Sequence, residues 1–228
     1  MRKSAIFLLF VAFCLTILGL SAQGGIAVPP QTARTKTEAE GKQKPEDSKQ
    51  RPVAKSKVYL LHSDLLRKDA THPDAQIVTG NVRFRHDSVY MYCDSACYYD
   101  KVSSFEAFGN VKMVQGDTLF LYGDRLYYDG LTQIAEMRCN VRMENRTTTL
   151  LTDSLNYDRV YNLGYFFDGG TLMDEQNVLT SEWGEYSPQT KQSVFNYNVK
   201  LVNPQFTLTS DTLRYNTASK IADIVGPS

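Results

Sequence analysis

The stretch GNVKMVQGDTLFLYGDRLYYD, residues 109–129, contains every element of a pattern that recurs along this chain at a spacing of 29 or 30 residues. An acidic residue marks each copy: Asp94, Asp124, Asp153, Glu182 and Asp211. A tyrosine follows it by four residues: Tyr98, Tyr128, Tyr157, Tyr186 and Tyr215. A leucine or methionine precedes it by three residues: Met91, Leu121, Leu150, Leu179 and Leu208. A fixed period of this size predicts stacked supersecondary units, none of which can bury its apolar face alone.

Each copy of the repeat is predicted to form two β-strands. The first opens on a glycine–asparagine–valine signal, residues 109–111 in the quoted stretch. The equivalent signals are Gly80-Asn81-Val82, Cys139-Asn140-Val141, Tyr197-Asn198-Val199 and, in altered form, Gly169-Gly170-Thr171. The Val-Lys-Met alternation of residues 111–113 has the period of two that is typical of a half-buried strand. In the second strand, Leu121 and Leu126 have opposite parity, which predicts a bend or bulge near Asp124.

The length of the repeat limits the fold class. Helical repeats of similar length need apolar residues at helical spacing, which these segments lack, and a propeller blade needs about 40 residues or more. The sequence therefore predicts an all-β fold, a semi-closed antiparallel β-stack whose apolar face points inward along its whole length. Turns are expected at the end of the second strand of a repeat, where turn-forming residues stand: Tyr99-Asp100, Asp129-Gly130, Asp158-Arg159 and Asn216-Thr217.

The two ends of the chain differ from the repeats. Residues 1–22 have a basic start and an almost unbroken apolar run, which predicts a signal peptide or, alternatively, a membrane anchor. Residues 23–56 are rich in Lys, Glu, Gln, Thr and Pro, which predicts a disordered linker. The repeats occupy residues 57–228, and the last one is incomplete. The strand Gln205–Asp211 or its successor is therefore expected to present an open edge that a like domain can pair.

No catalytic or metal-binding constellation is evident in the sequence. His62, His72 and His86 show no metal-ligand spacing with the cysteines, and no phosphate-binding or nucleophile motif is present. The charge is balanced, with 25 basic and 25 acidic residues, which argues against a nucleic-acid partner. We therefore expect no enzyme, no metal and no cofactor.

The repeated acid is interpreted as a hydrogen-bond acceptor at a turn or bulge. The cysteines of the repeats are interpreted as small buried apolar residues: Cys93, Cys97 and Cys139.

An inward-facing apolar column is the candidate binding surface. Its members are Phe84, Met91, Met113, Leu121, Met143, Leu150, Met173, Leu179, Leu201 and Leu208. The pattern fits a filled core as well as it fits a groove for lipid tails, to which flexible methionine side chains are suited. In a groove, Met143→Asp is expected to impair lipid binding more than expression. An outward basic column is interpreted either as a solvated face or as contacts for lipid phosphates: Arg83, Lys112, Arg142 and Lys200.

The recurring motifs resemble those of the OstA/LptA family. The resemblance rests on the Gly-Asn-Val signals and on the strand ends of residues 124–129 (DRLYYD) and 153–158 (DSLNYD), and it covers about residues 57–228. It implies a periplasmic β-jellyroll without enzymatic activity that carries lipopolysaccharide between the inner and outer membranes, with the acyl chains of lipid A shielded in a hydrophobic groove.

The same resemblance implies the partners. They are lipopolysaccharide, other OstA-like jellyroll domains joined edge to edge, the outer-membrane insertion barrel and inner-membrane transporter components. Two other classes of protein remain open from the residues alone. One is a structural or adhesive β-repeat protein of the cell envelope. The other is a polysaccharide-active enzyme on a β-solenoid, which would need acidic residues clustered on one face.

Overall fold

The computed structural model describes residues 56–69 and 72–226. The predicted signal segment 1–22 and all but the last residue of the predicted linker 23–56 lie outside the described residues. Within the described ranges the chain forms fifteen strands and one short 3-10 helix, Asp100–Val102. No helix there is long and apolar enough to cross a membrane.

The strands alternate along the chain with short turns. They are β1 Tyr59–His62, β2 Leu65–Asp69, β3 His72–His86, β4 Val89–Tyr99, β5 Ser104–Gln115, β6 Leu119–Asp129, β7 Ile134–Asn145, β8 Thr148–Asp158, β9 Leu163–Phe166, β10 Gly170–Asp174, β11 Asn177–Ser181, β12 Trp183–Tyr186, β13 Gln192–Asn203, β14 Phe206–Asn216 and β15 Ile221–Val225. The four predicted turns are confirmed, because β4, β6, β8 and β14 end where the sequence places them.

All pairings are antiparallel, and the strands form one continuous sheet. Strands β3 to β8 pair in chain order. In the repeat with the altered signal, residues 169–171, each long strand is divided into two short strands. The first half of β8 therefore pairs with β10, and the second half of β8 pairs with β9. The predicted all-β, antiparallel fold class is confirmed.

The sheet bends along a line of bulges at the Gly-Asn-Val signals. In β5, Gly109 and Asn110 both have left-handed backbone angles, with φ of +74° and +46°, and the pairing register with β4 and β6 shifts there. A Cβ on Gly109 would lie 2.5 Å from Oδ2 of Asp94, so the bulge has no room for a side chain. The predicted bend near Asp124 is confirmed by the register shift between Tyr122 and Arg125.

The bulges are held by amide–carboxylate hydrogen bonds from one strand to the next. Asn110 Nδ2 donates to Asp94 at 2.8 Å, and Asn140 Nδ2 donates to Asp124 at 2.6 Å. The same bond joins Asn81 to Asp64 and Asn198 to Glu182. The repeated acid therefore accepts a hydrogen bond at a bulge, as the sequence predicts.

Because the sheet bends, its two halves face one another as two layers. We call the half that carries the five repeated tyrosines the tyrosine layer, and the other half the opposite layer. Phe84 in the opposite layer stacks on Phe105 in the tyrosine layer, with ring centroids 4.1 Å apart. The residues between the layers form one apolar cluster from Val58 to Tyr215.

Candidate functional site

The interior between the layers contains most of the predicted binding residues. Eight of them are at most 2% exposed: Phe84, Met91, Met113, Leu121, Met143, Leu150, Leu179 and Leu201. They come from successive strands of the opposite layer, and direct cross-strand partners such as Met113 and Leu121 lie side by side. Leu208 is half-buried on β14 and packs against this cluster.

Met173 does not belong to the inward column, so its assignment from the sequence is wrong. Leu172 is buried instead and pairs with Leu150 and Leu179, whereas Met173 is half-buried on the other face of β10. The reason lies in the altered signal. Only Gly169 has a positive φ there, whereas two consecutive residues do in the complete signals, and this changes the strand parity by one residue.

The interior is filled by side chains. Glycines in the tyrosine layer leave room for large neighbours: a Cβ on Gly184 would lie 2.6 Å from the Phe166 ring. Two open surface depressions of about 520 and 250 Å³ lie elsewhere on the described part of the chain. The larger of the two lies near the bulges of residues 140–142 and 168–171, and none of the ten predicted residues lines either depression. In this arrangement the apolar column forms a packed core.

A line of polar contacts closes the interior on the side away from the bulges. We call this line the seam. It joins the last residue of a strand in the opposite layer to a buried tyrosine of the tyrosine layer. Tyr215 Oη donates to Asp174 Oδ2 at 2.8 Å, and Tyr186 Oη donates to Asn145 Oδ1 at 3.3 Å. The seam residues of the opposite layer are His86, Gln115, Asn145 and Asp174, each 41 or 42 residues before its tyrosine.

Sequence reasoning missed the polar side of the seam, although a signal was present. The four residues recur at steps of 29, 30 and 29, the same period as the tyrosines. They differ in chemical type, and each stands next to a turn where polar residues are ordinary. Their period, and their constant distance from the tyrosine that they contact, would have identified them.

The seam has its largest hydrogen-bond network at His86, which is fully buried. Tyr128 Oη lies 2.7 Å from His86 Nδ1 and accepts a hydrogen bond from the guanidinium of Arg159. Arg159 also lies 3.1 Å from Nδ1, and because arginine has only donors, Nδ1 is an acceptor. The ring proton is thus assigned to Nε2, which faces Ser56 Oγ at 2.8 Å. Burial and the nearby Arg159 lower the pKa of His86, which favours the neutral imidazole.

The neighbouring contact in the seam includes a third side chain, that of Asn162. Asn162 Oδ1 accepts hydrogen bonds from Gln115 Nε2 at 2.8 Å and from Tyr157 Oη at 3.3 Å. Two buried polar atoms at this place have no hydrogen-bond partner among the described residues, namely Oε1 of Gln115 and Nε of Arg159. The seam is therefore less completely satisfied in its middle than at Asp174, where the carboxylate contacts both Tyr215 and Lys220.

Alkaline pH is expected to unfold the domain through the seam tyrosines. Burial raises the pKa of Tyr128 to about 12, although Arg159 opposes the shift. Since an unfolded tyrosine has a pKa of about 10, the protonated hydroxyl stabilises the fold fully below pH 10. This stabilisation, about 3 kcal/mol for a shift of two pKa units, is lost as pH rises through about 12. Absorbance at 295 nm should show late tyrosine ionisation coinciding with loss of the β-sheet circular dichroism.

Tyr128→Phe is the control for this pH dependence, because it removes one of the titrating groups and should flatten the fall in stability above pH 10. If all 14 tyrosines ionised near pH 10 while the sheet stayed intact, the seam tyrosines could not be buried groups that keep their protons above that pH.

The outward basic column lies on the outer surface, as the sequence predicts. Arg142 is exposed, stacks 4.3 Å from the centre of the Tyr122 ring and pairs with Glu144 at 2.7 Å. Arg83 and Lys112 also lie over aromatic rings, those of Tyr92 and Tyr122 respectively. No group of acidic, histidine or cysteine side chains within the described residues could hold a metal ion.

The three cysteines among the described residues are not joined by a disulfide. Cys93 is buried, and burial raises the pKa of its thiol to about 12. Cys139 is exposed with φ of +63°, in the place that glycine takes in other copies, so its interpretation as a buried apolar residue is wrong.

Comparisons with known proteins were made at three levels: curated proteins, solved structures and protein families. No curated protein matches the sequence. Among solved structures, the chain is similar to LptH from Pseudomonas aeruginosa, described as the LptA-homologous periplasmic component of the lipopolysaccharide transport device, with 13% identity and a TM-score of 0.43. That match covers 46% of this chain and 80% of LptH. The model of a family described as OstA-like protein matches residues 55–211. The chain therefore belongs to the OstA-like protein family.

Proposed function

We propose that this protein is a non-enzymatic periplasmic carrier of lipopolysaccharide that shields the acyl chains of lipid A between its two layers. The observation that carries the proposal is the single apolar cluster that runs through the stack, together with membership of the OstA-like family. Burial of each acyl methylene contributes about 0.8 kcal/mol. Several methylenes per chain therefore offset the loss of side-chain packing that their entry requires.

The composition of the interior suits an exchangeable apolar ligand. Met91, Met113, Met137 and Met143 all lie in the cluster, and methionine has three rotatable bonds with which it can repack around a guest. The basic outward column is proposed to meet sugars and phosphates of the lipid headgroup. The proposed residence in the periplasm follows from the family and from the predicted signal segment.

The proposed partners join at the edges of the stack. Among the described strands, β1 and β2 at one end pair only with β3, and β15 at the other end pairs only with β14. A sheet edge with free backbone groups can accept a further strand. We propose that these edges connect like jellyroll domains, and that such a bridge reaches the outer-membrane barrel and the inner-membrane transporter.

Photo-crosslinking with a diazirine analogue of methionine tests the proposal with an internal control. The analogue replaces the methionines of the chain without a large change in shape, and the irradiated complex with lipopolysaccharide is mapped by peptide mass spectrometry. Lipid adducts are expected at Met91, Met113, Met137 and Met143, which lie inside, and not at Met173 on the outer face. Adducts confined to Met173 would contradict binding between the layers. So would lipopolysaccharide adducts that are no more abundant than the adducts formed with a detergent.

A second candidate function is supported by the filled interior. A packed core needs no ligand, which suits a purely structural β-repeat protein of the envelope. The same crosslinking distinguishes the two functions, because a structural stack takes up no lipid.

A further inference from the structure

The seam contacts at Asn145 and at Asp174 are built from equivalent positions of two repeats, 29 residues apart. At Asp174 the charges balance within the chain. The ammonium of Lys220 lies 2.6 Å from the carboxylate of Asp174, which ends β10, and 3.4 Å from the carboxylate of Glu175 in the turn that follows. The one cation of this contact is therefore held by two acids.

At the equivalent contact 29 residues earlier, both acids are replaced. An amide, Asn145, takes the place of the aspartate, and a cation, Arg146, takes the place of the glutamate. Lys191 takes the place of the lysine, and its ammonium donates a hydrogen bond to Oδ1 of Asn145. No carboxylate of the described residues forms an ion pair with Lys191 or Arg146. This contact therefore joins two cations through one neutral amide.

The two cations disfavour each other's charge. Burial lowers the pKa of Lys191, and the nearby Arg146 lowers it further. A negative charge close to both groups would oppose these effects, because an opposite charge favours the ionised form of a neighbour. An anion bound at this contact would thus supply what the two carboxylates supply at the next one.

The surface around the two cations has room for a small anion. Arg146 and Lys191 line the open depression of about 250 Å³, together with the Lys220–Glu175 ion pair. The turns that carry Arg146, Lys191 and Lys220 come from three different hairpins, and each of the three residues has a positive φ. Three turns therefore converge on one place at the outer side of the seam.

The donors at this place suit a tetrahedral oxyanion. The guanidinium of Arg146 offers a planar fork of N–H groups, and the ammonium of Lys191 offers donors that rotate. The hydroxyls of Thr147 and Thr217 line the same depression. Because these donors come from several directions, they match the oxygens of a phosphate group better than the two coplanar oxygens of a carboxylate.

From these contacts we propose that Arg146 and Lys191 form a binding site for a phosphate group. The phosphate can belong to the saccharide headgroup of a lipid or can be free in solution, and the chemistry that recognises it is the same. The inference goes beyond the proposed function and does not depend on it, because inorganic phosphate alone tests the site.

Thermal unfolding of the full chain measures phosphate binding. The midpoint is compared in sodium phosphate and in sodium chloride at equal pH and ionic strength, so that charge screening is the same. At a phosphate concentration tenfold above its dissociation constant, the midpoint of the parent is expected to be about 3–6 °C higher than in chloride. Equal midpoints in the two salts would overturn the site.

Two variants remove the cations while keeping residues that the fold already uses. Lys191→Asn introduces the residue that stands 29 positions earlier, Asn162, and Arg146→Gly introduces the residue that stands 30 positions earlier, Gly116. Both of those residues also have a positive φ, so the variants are expected to fold. Each variant should bind phosphate at least about tenfold more weakly, because a charge-assisted hydrogen bond is lost.

Lys101→Gln is the matched control, since Lys101 is also a turn lysine but pairs with Asp74 away from the seam. It should keep the full rise in phosphate. General stabilisation by phosphate, which is excluded from protein surfaces, would raise the parent, the control and both site variants equally, and that result would overturn the site.

A third variant keeps both cations and adds the missing acid. Asn145→Asp places a carboxylate where Asp174 stands in the next repeat. The carboxylate should bind Lys191 and repel phosphate, so the phosphate-dependent rise should disappear. An undiminished rise in this variant would show that phosphate binds elsewhere and would overturn the site.

Lipopolysaccharide and its enzymatically dephosphorylated form distinguish the two sources of the phosphate. If the parent binds the phosphorylated form about tenfold more tightly and Lys191→Asn does not, the site is confirmed and its phosphate belongs to the lipid headgroup. If neither protein distinguishes the two forms while the rise in inorganic phosphate holds, the site is confirmed for free phosphate. A parent that binds neither form would contradict the proposed function alone.

Discussion

Met143→Asp is expected to unfold the described domain. Met143 is 1% exposed and lies between its cross-strand partners Leu121 and Leu150. A carboxylate there has no described cation beside it and loses its hydration, which costs roughly 4 kcal/mol or more. That is a large part of the 5–15 kcal/mol typical of a domain. Urea unfolding followed by circular dichroism measures the loss.

The matched control is Arg142→Gln, one residue away on the outer face, where substitution should change the free energy of unfolding by no more than about 1 kcal/mol. Equal unfolding midpoints for the two variants would show that the interior is open to water. The sequence alone favours a selective loss of lipid binding at Met143. Because the structure encloses this side chain completely, folding and lipid binding are expected to fail together.

Ile224→Lys is expected to weaken head-to-tail assembly of the domain. Ile224 lies on β15, an edge strand, and is 41% exposed. Exposed apolar residues mark both ends of the stack: Tyr59, Leu61, Leu65 and Leu66 at one end, and Phe206, Ile221, Ile224 and Val225 at the other. A contact between unlike ends does not close, so the parent should form a concentration-dependent ladder of oligomers. A lysine buried in that contact should weaken association by about tenfold or more.

Leu131→Lys is the matched control for the edge substitution, since Leu131 is 42% exposed but lies in a turn after β6. Thr209→Pro, on the first half of β14, is a second edge variant, because proline removes a backbone donor. Analytical ultracentrifugation should show shorter oligomers for the two edge variants only. A parent that is monomeric at all concentrations, or equal behaviour of Ile224→Lys and Leu131→Lys, would refute edge assembly.

The strands and their bends could be predicted because local chemistry determines them. Alternation with a period of two specifies a strand, and glycine and asparagine tolerate the left-handed angles of a bulge. The opposite parity of Leu121 and Leu126 was sufficient to place one bend. Prediction failed at Met173, where the altered signal contains one left-handed residue instead of two.

The state of the interior could not be predicted from the sequence. Whether Met113 and Met143 line a groove or fill a core depends on the separation of the two layers, and a one-dimensional pattern does not contain that distance. The seam was missed for a related reason. His86 and Tyr128 are 42 residues apart, and only the fold shows that these strand ends meet.

The most direct measurement is mass spectrometry of lipid extracted from the protein purified without detergent from Gram-negative cells. A phosphorylated, polyacylated saccharolipid is expected in a fixed ratio to the protein. Absence of bound lipid, or ordinary phospholipids at the level found with an unrelated periplasmic protein, would contradict lipopolysaccharide carriage.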